Sequence, residues 1–61
     1  MLFYKVTIFV IWHKIHERPL SAHTTESGAL KRIQELSIIE DKEYGYNTID
    51  HFECVELELD Q

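Results

Sequence analysis

The residues of this chain best equipped for chemistry are its four histidines and single cysteine, and their spacing suggests a metal first. His13-x-x-His16 and His51-x-x-Cys54 together supply imidazole and thiolate ligands of the kind zinc accepts. Strand geometry argues against that set. The stretch holding His51 and Cys54 alternates like a strand, and residues three apart on a strand point to opposite faces. His13 and His16 fall in a loop and can converge, but they are only two ligands. Polar surface histidines and a small buried thiol are the preferred reading, so no metal and no other cofactor is expected. The same parity separates Cys54 from His51 as a nucleophile and its base. A phosphate-cradling loop is excluded because the only glycines are Gly28 and Gly45. A small sheet also offers little concavity from which water can be kept out, so the chain is read as not an enzyme.

Charge narrows the partners. The formal net charge is −5 and the six Lys and Arg residues are scattered, whereas affinity for nucleic acid is built from clustered basic residues. An imitation of the charge of DNA would need a denser acidic surface than eleven carboxylates partly offset by those six. With one cysteine no internal disulfide can form, which points to a reducing, cytoplasmic home. The apolar opening stretch is uninterrupted only from Ile8 to Trp12, far short of the roughly 20 residues of a spanning helix. It has no small-x-small cleavage site and carries Lys5 inside it, so it reads neither as a membrane segment nor as a signal peptide. Its Val, Ile, Thr, Tyr, Phe and Trp content is that of a strand.

The elements that must position these residues follow from periodicity. Over residues 2–13 the even positions Leu2, Tyr4, Val6, Ile8, Val10 and Trp12 are all apolar or aromatic, and the odd positions are mixed. A strand so apolar on both sides belongs in the middle of a sheet. Residues 13–18 make a hairpin connection longer than the tightest turns. A second strand over residues 18–24 contains Pro19, which cannot donate to a ladder and places it at an edge. Thr24 and Thr25 with Glu26 then signal a helix start. Ala29, Leu30, Ile33 and Leu36 form its apolar stripe, and Gly28 is a cost in its first turn. The segment 40–47 is the exit, with Gly45 or Asn47 able to turn left-handed. From about Thr48 to Asp60 a last strand places Ile49, Val55, Leu57 and Leu59 on one face and Glu56, Glu58 and Asp60 on the other. Phe52 and Cys54 join the acidic face if that strand is regular, and the core face if a bulge lies near Glu53.

The expected architecture is therefore one α+β domain over residues 1–61, a ββαβ chain with a three-stranded antiparallel sheet in the order 2-1-3 and one helix on one face. The helix is expected over the even positions of the first strand. Phe3, Phe9 and Ile11, joined by Phe52 and Cys54, then form an open apolar patch, and such a patch marks an interaction surface. Aromatic residues on an open sheet also suit RNA stacking, but the basic surround is missing. The row Glu56, Glu58 and Asp60 would repel phosphate and could dock a basic protein surface. Tyr44, Tyr46 and Trp12 are candidate interface anchors. At this length folding hides only about 60% of the unfolded surface, so a thin core gains from a second chain. The expected function is a non-enzymatic protein-interaction module, homodimeric, that occludes or scaffolds a protein partner. The alternative is a small-molecule or nucleotide binder whose pocket forms between subunits. In length, acidity and compactness the chain looks like the small inhibitors and antitoxins of phages and mobile elements, a likeness of type that rests on no particular residues.

Overall fold

The computed structural model describes residues 5–60. Strand β1 spans Lys5–His13, β2 spans Arg18–His23, helix α1 spans Glu26–Tyr44, and β3 spans Phe52–Asp60, preceded by a short 3-10 turn at Ile49–His51. The strands form one antiparallel sheet in the order β2-β1-β3, the expected α+β arrangement. Pro19 sits on the edge strand β2, as its missing N–H requires. The pairing of β1 with β2 slips between Ile11 and Trp12: Ile11 faces Ser21, Trp12 faces Pro19, and Leu20 is the additional residue. That bulge swings Leu20 to the helix side, where it lines a pocket with Leu36 and Ile39.

The helix is capped at both ends by the residues whose chemistry suits the task. The Thr25 side chain accepts from the Gly28 N–H at 3.1 Å. Gly28 is a cost in propensity but a gain in space, because a Cβ there would meet Thr25 Oγ1 at 2.9 Å. At the other end Gly45 takes φ 76° and donates its N–H to the Asp41 carbonyl at 2.8 Å.

The core departs from expectation. Ile11, Ala29, Ile33 and Phe52 are its buried apolar residues, with Phe9, Leu36 and Cys54 packed against them. The helix therefore covers the odd positions of β1, not the even ones. A β2–α1–β3 crossover has one favoured hand, so connectivity and hairpin register choose the covered face rather than the count of apolar residues. Local fit agrees with this choice: Ala29 is fully buried, which lets the helix backbone approach the sheet, whereas the even face carries bulky Trp12. Leu30, expected on the packed stripe, is 45% exposed; the stripe runs through Ala29, Ile33, Leu36 and Ser37 to Glu40.

Strand β3 is regular opposite β1, with no bulge at Glu53, so Phe52 and Cys54 share a face with Glu56 and Glu58. That face is the covered one. Beyond Phe9 the register leaves β1 paired with β3 alone, because β2 ends at His23 opposite Phe9. The chain is drawn out to match, measuring 53 × 21 × 12 Å along its principal axes, the shortest being one sheet and one helix thick.

Candidate functional site

Two features stand out, a polar cluster under the C-terminal half of α1 and the sheet surface the helix leaves bare. The cluster is built by a latch. Thr48, fully buried, donates its backbone N–H to Asp41 Oδ1 at 2.6 Å. Its hydroxyl donates to the same oxygen at 2.7 Å, with the Ser37 carbonyl at 3.2 Å sharing the proton. Asn47 Oδ1 accepts from the Ile49 N–H at 2.9 Å, and the His51 carbonyl accepts from the Lys14 N–H at 2.7 Å. These bonds tie the 3-10 turn to both α1 and the end of β1, which brings His51 beside Glu40.

Glu40 is the hub. His13 Nε2 lies 3.0 and 3.1 Å from its two oxygens, and His51 Nδ1 lies 3.1 Å from Oε1. An ionised carboxylate only accepts, so both imidazole nitrogens carry their protons toward it. His13 Nδ1 in turn accepts from the His16 backbone N–H at 3.1 Å, which is consistent with the His13 proton being on Nε2. Burial by itself would raise the Glu40 carboxyl, but the hydrogen bonds from His51 and His13 outweigh it and hold the group below its ordinary value. His13 is 3% exposed and edge-on to Phe52, so the cluster continues the core in polar form. Tyr44 and Tyr46 stack on each other at 5.8 Å and both meet His51 edge-on.

Beside the cluster opens a cavity of about 220 Å³ whose lining includes His13, His16, Arg18, Glu40, Glu43 and Tyr44. That is below the roughly 300–1,000 Å³ of small-molecule sites. Its two carboxylates, against the single cation Arg18, also disfavour a nucleotide's phosphates.

The metal-like spacings resolve differently from their sequence reading. His51 lies in the 3-10 turn rather than on a strand, and its neighbours are Glu40, Tyr44 and Tyr46. Cys54 lies farther along β3 opposite Ile11, where burial first, then Glu26 and Glu56, push its thiol up, the opposite of an activated nucleophile. His13, Glu40 and His51 are brought together, with ligand atoms within 4.8 Å of one another. Spacing could not show Glu40, but its place on the buried stripe of α1 could have.

The interaction residues expected from sequence are redistributed by the inverted face. Ile11 and Phe52 are core residues, and Phe9 and Cys54 pack against them, so none of these belongs to an open patch or a stacking platform. Phe3 lies outside the described residues. Glu56 and Glu58 are exposed, paired with Phe9 and Thr7, and Asp60 pairs with Lys5. The bare face instead presents Val6, Ile8, Val10 and Trp12 of β1 beside Val55, Leu57 and Leu59 of β3, in the register Val6↔Leu59, Ile8↔Leu57 and Val10↔Val55. Leu57 and Leu59 are 43% and 48% exposed. Among the described residues no strand pairs with the outer edge of β3. Among the described residues no helix is long and apolar enough to cross a membrane. Compared with protein-family models, curated proteins and solved structures, the chain matches none.

Proposed function

We infer that this chain is a non-enzymatic protein-interaction module that occludes or scaffolds a partner through the bare sheet face and the adjoining edge of β3. The observation that carries the reading is the row Val6, Ile8, Val10, Val55, Leu57 and Leu59, an apolar sheet surface over which no element of the described residues packs. The open edge adds main-chain donors and acceptors beside that row, the setting in which a partner strand is added to a sheet.

Charge selects the partner strand. Pairing β3 with its own copy about a two-fold at Glu56 or Leu57 would set Glu56 against Glu56 or Glu58 of the copy, and like charges directly opposite destabilise a pair. Glu26 adds to the same acidic surface, since it and Glu56 both act on Cys54. The fitting strand alternates basic residues, opposite Glu56 and Glu58, with apolar residues that prolong the bare face. A synthetic peptide of alternating lysine and valine is the probe. Saturable binding with amide shifts along β3, lost when a central proline interrupts the peptide and lost in the E56K/E58K double variant, supports the reading. Equal binding of the proline-interrupted peptide would reject it.

A homodimer has its own support, because among the described strand residues the bare face carries one charged residue, Glu53 opposite Trp12, and two copies could stack on it without bringing the acidic rows together. Light scattering separates the readings: a dimeric mass that reverts to monomer in a Leu57→Lys variant would favour stacked copies.

A further inference from the structure

We propose that His13, Glu40 and His51 form a binding site for a divalent transition-metal ion of the zinc class. The three ligands come from the end of β1, the helix and the turn before β3, and one bound ion would cross-link all three elements of a chain whose buried apolar core is Ile11, Ala29, Ile33 and Phe52. A core that thin gains from such a staple.

Two imidazoles and a carboxylate are a ligand set zinc takes, with a fourth position left to water. Hard cations prefer all-oxygen sites, which excludes calcium and magnesium as the intended occupant. Tetrahedral bonds of about 2.0 Å to nitrogen and oxygen separate neighbouring ligand atoms by about 3.3 Å. Glu40 Oε1 already lies 3.0 Å from His13 Nε2 and 3.1 Å from His51 Nδ1, and all three atoms fall within 4.8 Å. Modest side-chain movement closes the set. Two of the three ligands, His13 and Glu40, also line the cavity shared with His16, Glu43 and Tyr44, which gives an ion its entry.

The same residues are a complete hydrogen-bonded cluster without an ion, and the protons define what metal entry must change. Each coordinating nitrogen gives up its proton to the other nitrogen of its ring, so no net proton is lost from a neutral imidazole. For His51 this is free, since its Nε2 has no protein hydrogen bond among the described residues. For His13 the new Nδ1–H would confront the His16 N–H that it now accepts, so the turn at residues 14–17 must move. The His16 amide therefore reports coordination at His13, and the His51 ring, on a different element, separates the three-ligand site from zinc held at the exposed His16.

The test is a zinc titration of the reduced chain followed by calorimetry and by amide and imidazole resonances. One ion per chain is expected, with shifts at the His16 amide and at both rings. Glu40→Gln and His51→Ala should each weaken binding at least about a hundredfold, beyond what loss of an outer-sphere partner gives. Cys54→Ser should bind like the parent chain. Glu40→Gln keeps the shape and one acceptor oxygen, enough to receive both imidazole N–H groups, so it answers the question even where His51→Ala fails to fold. The proposal is overturned by no saturable binding, by parental affinity in Glu40→Gln, or by loss of binding in Cys54→Ser, which would return the metal to the His51-x-x-Cys54 spacing.

Discussion

Truncating Ile11 and its sequence neighbour Val10 separately asks which face of the sheet the helix covers. Ile11 is fully buried beneath Ala29 and Ile33, whereas Val10 is half-buried on the bare face between Ala22 and Val55. Ile11→Ala removes three carbons from water-free surroundings, a transfer loss of about 2.4 kcal/mol at ~0.8 kcal/mol per methylene. The cavity left behind brings the expected cost to about 3–4 kcal/mol. Val10→Ala removes two methyls from a site still partly wet, for about 1 kcal/mol or less. A 61-residue chain has a total stability of only about 3–9 kcal/mol, so the first change consumes a large share of it. A loss of 3 kcal/mol shifts the folding equilibrium by roughly a hundredfold. Urea unfolding followed through the single tryptophan, Trp12, and through helical circular dichroism measures both variants. A cost for Val10→Ala equal to or above that for Ile11→Ala would refute the assignment of faces and with it the location of the interaction surface.

Thr48→Val keeps the volume but leaves Asp41 Oδ1 without its hydroxyl donor, so urea unfolding should show a loss of about 1–3 kcal/mol, and the His51 ring resonances should shift as the latch loosens. Because the Glu40 carboxyl is held below its ordinary value of 4.5, the unfolded chain takes up its proton first as pH falls. The stabilisation from this group is therefore complete above about pH 4.5 and is lost below it, and urea midpoints of the metal-free chain should fall more steeply in acid than those of Glu40→Gln. With its thiol pushed up, Cys54 should react with a disulfide reagent at neutral pH more slowly than an unfolded control, and the gap should close in urea.

The strand order was legible from two local facts, the continuous apolar character of β1 and the single proline of β2, because each restricts where a strand can sit. The helix start was legible for a similar reason, since Thr25 satisfies a backbone group that only a helix end leaves open, whereas the segment 40–47 only bracketed its other end: the helix runs on through Tyr44 before Gly45 turns it. The covered face was not legible. Alternation divides a strand into two sets but carries no information about which set a crossover helix will meet, and the even set of β1 is the more apolar by count. Among the described residues of β1, those that join the core or bond to the helix are Phe9, Ile11 and His13, so the apolar residues nearer the start of the strand carry less weight in the choice. The polar cluster escaped for a different reason. Its histidines are recognisable, but their shared partner Glu40 lies 27 residues from His13 and reads, among its charged neighbours, as an ordinary solvated helix residue. Only extension of the Ala29–Ile33 stripe to position 40 marks it as inward-facing.

The bare sheet face is most directly examined by solvent paramagnetic relaxation of methyl resonances in the dilute, isolated chain. With a soluble gadolinium chelate, the methyls of Ile8, Val10, Leu57 and Leu59 should relax strongly, while those of Ile11, Ala29 and Ile33 should be spared. Protection of Ile8 and Val10 together with exposure of Ile11 would contradict the account, because the partner-binding surface would then lie beneath the helix.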